Sequence, residues 1–259
     1  MKKILLETQG LSKSFSSGGA LQHVLKNITV KLYEGDFTVI MGASGAGKST
    51  LIKILGGIYS ADNGKIYLGG EEVKMASVQE AQMRGIRIIH QEIVLVPYRS
   101  VAENIFLGRE LKNKAGFPDK KQMYEQTGEI IREFGLDLSP DMLISELSIG
   151  MQQLVEIMKA VSTDARIIVM DEPTSSLSEH EVEFLFRTIR QLKEKKVGII
   201  YISHKLPELY EIADRVTVLR DGHTIKTCAI PEVTSEELIN MMVGRELTKY
   251  YIKTENTIG

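Results

Sequence analysis

A glycine-rich segment that ends in lysine, serine and threonine, residues 42–50, constrains the fold of this chain more than any other feature. It reads GASGAGKST and fits the pattern G-x-x-x-x-G-K-[ST]. An apolar run, Phe37–Met41, precedes it, and a helical pattern, Lys48–Leu55, follows it. A phosphate-binding loop needs this order, because consecutive backbone N–H groups and a helix N-terminus hold the anion together. The segment therefore predicts a nucleotide-binding α/β domain.

The residues of this loop have distinct predicted roles. The glycines let the backbone curl around a β-phosphate, Lys48 reaches the β- and γ-phosphate oxygens, and the Ser49 hydroxyl ligates Mg²⁺. A glycine turn without a ligand is the alternative, and the complete motif in its strand and helix context argues against it. We therefore predict that the whole segment contacts nucleotide, through Gly42, Ala43, Ser44, Gly45, Ala46, Gly47, Lys48, Ser49 and Thr50.

Two carboxylates at the end of a second apolar run extend the predicted phosphate site. Ile167–Met170 reads as a buried strand, and Asp171 and Glu172 follow it directly. In a P-loop ATPase site Asp171 would hold Mg²⁺, and Glu172 would act as the general base that polarises the attacking water. Taken alone, an apolar run before Asp-Glu is more often a strand that meets a turn. The upstream loop favours the catalytic interpretation.

The succession of apolar runs predicts a mainly parallel core sheet. Helical patterns follow several of these runs, and several lack alternation, as is typical of strands covered on both faces. We predict an α/β P-loop domain over residues 1–244, with an N-terminal antiparallel β region and a helical subdomain inserted at about 92–162. Residues 245–259 are predicted to be a linker or tail. The predicted core strands are Phe37–Met41, Ile86–Ile89, Ile167–Met170, Gly198–Ile202 and Arg215–Leu219.

Charge and hydropathy bear on the classes of partner. Lys and Arg total 32 against 34 acidic residues, so no basic excess is available for a nucleic acid backbone, and we predict no nucleic acid partner. Apolar runs such as Val197–Ile202 fall far short of the ~20 residues that span a bilayer. We predict no direct membrane insertion. Cys228 is the single cysteine, which suits a reducing compartment and makes the cytoplasm the expected location.

The segment 147–157, LSIGMQQLVEI, resembles the signature of the nucleotide-binding domains of ABC transporters. It has the form found in sugar importers of the ribose/galactose/xylose group, with isoleucine at the first glycine position. The resemblance covers nearly the whole chain and implies an ABC-type ATPase fold that hydrolyses ATP with Mg²⁺. It also implies that Ser148 and Gly150, which begin a helix, face the γ-phosphate bound by a second ABC ATPase domain.

Three further positions match the pattern of this family. Gln91 stands where the family has a glutamine that touches Mg²⁺ or the hydrolytic water, so the resemblance implies a catalytic and metal-binding role. His204 stands at the place of the switch histidine that hydrogen-bonds the γ-phosphate. Phe15 stands at the place of the aromatic side chain that stacks on adenine, although a core position is nearly as well supported.

The resemblance also implies a function and a set of partners. We expect an ATPase subunit that energises monosaccharide import, peripheral on the inner face of a bacterial cell membrane and bound to transmembrane permease subunits. Residues 241–247 resemble the stretch that leads into a second ATPase half, so we expect the N-terminal half of a tandem protein, paired with its other half or with a second copy. The alternative is a soluble, non-transport ABC-type ATPase. A GTPase is disfavoured, because residues 113–116, NKAG, lack the aspartate that reads guanine.

Overall fold

The computed structural model describes residues 2–203 and 205–244, which form two β-sheets with eight α-helices around them in the described part of the chain. The strands are β1 (Ile4–Ser17), β2 (Ala20–Tyr33), β3 (Phe37–Met41), β4 (Asn63–Leu68), β5 (Glu71–Val73), β6 (Ile86–Ile89), β7 (Ile167–Asp171), β8 (Gly198–Ile202), β9 (Arg215–Arg220) and β10 (His223–Ala229). The helices are α1 (Lys48–Leu55), α2 (Val78–Met83), α3 (Val101–Ile105), α4 (Lys120–Glu133), α5 (Ile149–Val161), α6 (Glu179–Glu194), α7 (Leu206–Ile212) and α8 (Ser235–Val243).

The larger sheet has the strand order β10-β9-β3-β8-β7-β6. Strands β3, β6, β7, β8 and β9 run parallel, and only β10 is antiparallel, paired with β9. The prediction of a mainly parallel core sheet is confirmed. All five predicted strands form, and the observed bounds extend the predicted ones only at Asp171 and Arg220.

The smaller sheet is antiparallel and has the order β2-β1-β4-β5. It is built mainly from the long hairpin of β1 and β2, in which Thr8 pairs with Val30. Strand β4 adds to the other side of β1, where Thr8 pairs with Ile66. This sheet is the predicted N-terminal antiparallel region.

Apolar side chains cover both faces of the core sheet, which explains why its strands lack alternation. Along β3, Phe37 and Val39 belong to the same apolar core as helices α3 to α6. The Ile40 side chain points to the opposite face, into a second core shared with α1 and the antiparallel sheet. Because successive side chains on a strand point to opposite faces, one short strand joins both cores.

The segment between β6 and β7 contains helices α3, α4 and α5 and one 3-10 turn, Ile144–Glu146. Its buried side chains, including Ile105, Ile131 and Leu154, join the core on one face of the large sheet. The helical subdomain at about 92–162 stays a prediction as a domain division. No helix within residues 2–203 and 205–244 is both long enough and apolar enough to cross a bilayer.

Candidate active site

The carboxyl ends of the parallel strands meet at one edge of the core sheet and form a cleft of about 510 Å³. This is the edge at which open α/β sheets bind their ligands. The cleft brings together predicted residues from three segments that are distant in sequence. Its lining comprises Val24, Gly42, Ser44, Gly45, Ala46, Gly47, Lys48, Ser49, Thr50, Gln91, Asp171, Glu172 and Ile202.

Two glycines allow the loop after β3 to pass close to neighbouring backbone. A Cβ at Gly42 would lie 2.3 Å from the Leu219 carbonyl oxygen, so a side chain has no room there. Gly47 has a φ of +100°, and a Cβ there would meet the Leu25 side chain at 2.5 Å. Ala43 does not line the cleft, but its carbonyl oxygen accepts from Ala46 N–H at 3.1 Å and closes the loop. The loop is thus a backbone cradle that side chains would fill.

The Lys48 side chain lies along this loop at the start of α1. Its ammonium donates to the carbonyl oxygens of Gly42 at 2.7 Å and Ala43 at 3.1 Å. Burial lowers the pKa of Lys48, while the carboxylates of Glu172 and Asp171 act in the opposite direction. The lysine therefore presents a partly desolvated charge at the helix N-terminus, where an anion is favoured.

Asp171 and Glu172 stand at the end of β7 in different environments. Burial raises the pKa of Asp171, the Glu172 charge raises it further, and His90, Lys48 and Lys53 act against both. Glu172 has a φ of +47°, which is uncommon for a residue with a side chain and costs about 1 kcal/mol or more. Its N–H donates to the Ile202 carbonyl oxygen at 3.0 Å. The neighbouring strand β8 therefore helps to hold this backbone conformation.

The donor set in the cleft fits a nucleoside triphosphate with Mg²⁺. The glycine cradle, the helix N-terminus and Lys48 offer donors to phosphate oxygens. The Ser49 hydroxyl, the Asp171 carboxylate and the Gln91 amide are oxygen ligands, which Mg²⁺ prefers. Mg²⁺ commonly takes few protein ligands and shares the rest of its shell with phosphates and water. These three side chains would be sufficient to hold it.

The two residues of the signature segment lie elsewhere in the fold. Ser148 is the N-cap of α5, and its hydroxyl accepts from the Met151 N–H at 3.2 Å. Ser148 is exposed, Gly150 is buried, and neither lines the cleft. Within the described chain they form a separate helix N-terminus that does not reach the loop at residues 42–50.

Of the two remaining predicted residues, one lies away from the cleft lining and the other cannot be placed because it falls outside the described residues. The Phe15 ring packs edge-to-face on Tyr59, with ring centroids 5.3 Å apart, and does not line the cleft. His204 lies outside the described residues, as do residues 245–259. Val24 and Ile202 line the cleft without having been predicted. Both are ordinary apolar strand residues, so nothing in the sequence marks them.

Comparison with known proteins gives a consistent result. A family model described as "ABC transporter" matches residues 25–175, more than half of the chain. An import ATP-binding protein of Agrobacterium fabrum, named for ribose, galactose and methyl galactoside, is 47% identical over 99% of this chain and 49% of its own length. A ribose import ATP-binding protein of Caldanaerobacter subterraneus subsp. tengcongensis is 46% identical over 95% of this chain and 49% of its own length. The chain spans about half the length of the curated relatives it matches.

The fold has close relatives among solved structures. The crystal structure of a nucleotide-free ATP-binding cassette from an ABC transporter superposes with a TM-score of 0.78 and 26% identity. The match covers 93% of this chain and 96% of that one. The arrangement of the two sheets and their helices is therefore a known architecture. The chain belongs to the ABC transporter family, as one of its ATP-binding domains.

Proposed function

We propose that the chain binds ATP with Mg²⁺ and hydrolyses it to drive sugar import through a membrane permease. One observation carries the enzymatic part: a single cleft brings Lys48, Asp171 and Glu172 together beside the glycine loop. The import part rests on relatives of 46–47% identity that are named as sugar import ATP-binding proteins. The place of action is then the cytoplasmic face of the cell membrane, where the chain is peripheral.

The residues of the cleft divide the chemistry between them. Lys48 and the loop N–H groups orient the phosphates and neutralise charge on the oxygens of the departing group. Glu172 takes the proton of the water that attacks the γ-phosphorus, as the bond to the bridging oxygen of ADP breaks. Mg²⁺, when bound, supplies positive charge to the phosphate oxygens. Ser49, Asp171 and Gln91 are the side chains that would hold it.

A second ATPase domain is part of this proposal. Ser148 and Gly150 begin α5 away from the cleft lining, so they have no phosphate of their own chain to contact. A helix N-terminus with an N-cap hydroxyl suits an anion presented by a partner. We assign these residues to the nucleotide of the other domain, which is a second copy or a domain outside this chain.

The test of this arrangement is Mg²⁺-dependent ATP hydrolysis measured against protein concentration. Glu172→Gln should lower turnover by about 100-fold or more, because a general base contributes 10²–10⁴. Ser148→Ala should lower turnover only at concentrations where the domains pair. The matched controls are Glu179→Gln and Ser145→Ala, two exposed residues that do not line the cleft.

The enzymatic proposal and the role of the second domain can be contradicted separately. A wild-type chain without ATP binding or hydrolysis at any concentration would contradict the enzymatic proposal. A hydrolysis rate that is strictly proportional to protein concentration and unaffected by Ser148→Ala would contradict the role of the second domain. Gel filtration of the Glu172→Gln variant with ATP checks the same point, since slow hydrolysis should trap the paired form.

The proposed contact with the permease lies beside Gln91, in a second groove of about 440 Å³. His90, Val94 and Leu107 line it, and Val94 and Leu107 are exposed apolar side chains of 63% and 43% accessibility. Clusters of exposed apolar residues commonly mark protein contacts. His90 lines this groove and the next residue, Gln91, lines the cleft, so a displacement at the groove can be transmitted to the phosphate site.

Substitution at this groove tests the permease contact. Val94→Glu should reduce co-purification of the membrane subunits while ATP binding stays unchanged. Met83→Glu is the control, since Met83 is 82% exposed on α2 and does not line the groove. Equal recovery of membrane subunits with both variants would contradict this contact.

Uptake measurements in cells that lack the chain test the sugar class. We expect loss of ribose or galactose uptake and no loss of amino acid uptake.

A further inference from the structure

A buried carboxylate outside the cleft connects the segments that follow strands β7 and β8. Glu208, on α7, is 8% exposed and is not part of the cleft lining. Its Oε2 accepts from the Tyr201 hydroxyl at 2.8 Å and from the Ser203 hydroxyl at 3.3 Å. Its Oε1 lies 3.2 Å from the Lys205 ammonium. A buried charge is tolerated only when it is paired and hydrogen-bonded in this way.

The network continues from Glu208 to the turn after β7. The Lys205 ammonium also donates to Thr174, to its carbonyl oxygen at 3.1 Å and its hydroxyl at 3.3 Å. Thr174 is buried, and the Tyr201 hydroxyl lies 3.5 Å from its Oγ1. Lys205 therefore bridges the carboxylate of α7 and the turn that follows the proposed general base.

This turn is attached to the β8 segment at two points. At one end, the Glu172 N–H donates to the Ile202 carbonyl oxygen at 3.0 Å. At the other, Thr174 is held by Lys205, whose own N–H donates to the Ser203 hydroxyl at 3.0 Å. Glu172 is itself the first attachment point, and its surroundings must maintain its φ of +47°. The second attachment depends on the Glu208 charge.

We propose that Glu208 is a positioning residue, which acts through Lys205, Ser203 and Tyr201 to hold the turn after Glu172 in its hydrolytic arrangement. This inference rests on the proposed ATP hydrolysis. Ser203 and Lys205 also flank position 204 in the chain, so the same carboxylate holds both sequence neighbours of the predicted switch histidine. Glu208 does not line the cleft and is not assigned a chemical step. Its effect is on geometry, to which hydrolysis is sensitive, because a displacement of about 1 Å can lower a rate 10²-fold.

The experiment compares Glu208→Ala, Glu208→Gln and Glu211→Gln in the full chain. Glu211 is the matched control, because it lies on the same helix but is exposed and paired with Arg190 at 3.1 Å. We expect Glu208→Ala to lower kcat at least tenfold, with KM and the directly measured ATP dissociation constant within twofold of wild type. Glutamine keeps an oxygen for Tyr201 and Ser203 but loses the charge for Lys205, so Glu208→Gln should recover part of kcat.

Several outcomes overturn the inference. Wild-type kcat in folded Glu208→Ala excludes a positioning role, and so does a loss of kcat matched by an equal loss of ATP affinity, which a merely structural residue would produce. If Glu208→Ala does not fold, kcat and ATP affinity are measured for Glu208→Gln and Tyr201→Phe instead, and wild-type kcat in both would exclude the positioning role. A wild-type chain that fails to hydrolyse ATP contradicts the proposed function itself, whereas active wild type with unaffected variants contradicts only this inference.

Discussion

Gly150 in the first turn of α5 lies against the Glu181 carboxylate at the start of α6, so closely that a Cβ at position 150 would stand 2.4 Å from Glu181 Oε2. That oxygen already accepts from the Ser178 N–H at 2.7 Å and from the Ser178 hydroxyl at 2.8 Å. A side chain at Gly150 therefore has to displace the carboxylate from its capping box. The signature helix and the start of α6 are coupled at this contact.

We predict that Gly150→Ala lowers the free energy of unfolding by about 1 kcal/mol, the usual size of a lost helix cap. In a Glu181→Ala background the same change should be neutral or stabilising, because alanine exceeds glycine in helix propensity by about 0.8–1.0 kcal/mol. Chemical denaturation of the four proteins in this cycle measures the difference.

The control for this cycle is Gly128→Ala in α4. A Cβ there would meet its nearest neighbour, the Arg132 side chain, at 3.4 Å, so alanine fits and should stabilise. An equal effect of Gly150→Ala in both backgrounds would show that the Glu181 contact has no energetic role.

Lys48 gives a prediction about nucleotide affinity. Hydrogen bonds to charged groups contribute about 1.5–3 kcal/mol, and 1.4 kcal/mol is a factor of ten. Lys48→Ala should therefore weaken ATP binding by about 10- to 100-fold in a fluorescence or calorimetric titration. Lys65→Ala should leave affinity unchanged, because Lys65 lies on β4 and pairs with Glu72 at 2.7 Å. Equal affinities of the two variants would contradict the role of Lys48.

The same lysine predicts the alkaline limit of binding. Burial lowers the pKa of Lys48, against the opposing charges of Glu172 and Asp171. The ammonium, and with it part of the ATP affinity, should be lost as pH rises through that lowered pKa, which lies below the usual 10.4 of lysine. Titrations between pH 7 and 10 should show this decline in wild type and not in Lys48→Ala. A wild-type affinity that is constant to pH 10 would exclude it.

The sequence predicted the parts of this molecule that have local signals. The glycine loop and the strand that leads into Asp171 and Glu172 each combine residue type with spacing, and each forms where it was expected. Such signals do not fix where an element ends: helix α3 stops at Ile105, although Phe106 and Leu107 continue its apolar sequence. Leu107 is instead exposed beside the second groove.

Other parts could not be predicted, because they depend on contacts between distant segments. Val24 reaches the cleft only because the β1–β2 hairpin passes beside the loop at Gly47. Glu208 looks in the sequence like any acidic residue of a helix, and its burial follows from Tyr201 and Lys205 meeting it in space. Such positions carry no motif, so only the fold identifies them.

The Asp171 carboxylate, which is proposed to hold Mg²⁺, is expected to destabilise the fold when the metal is absent. Burial raises the pKa of Asp171, and the neighbouring Glu172 charge adds to this. A carboxyl whose folded pKa lies above its unfolded value of about 3.9 stabilises the fold below that pH and loses this contribution as pH rises through the folded pKa. At neutral pH the ionised side chain therefore opposes folding when metal and nucleotide are absent.

Asp171→Asn should accordingly raise the thermal midpoint at pH 7 in the presence of a chelator, and the gain should shrink as pH falls toward 4. The exposed Asp164→Asn is the control and should leave the midpoint unchanged at each pH. The stabilised Asp171→Asn variant should at the same time lose Mg²⁺-dependent hydrolysis, because asparagine carries no charge for the metal. A thermal midpoint that falls on this substitution would mean that Lys48, Lys53 and His90 stabilise the Asp171 carboxylate by more than its burial destabilises it. The carboxylate proposed to hold Mg²⁺ would then also stabilise the fold.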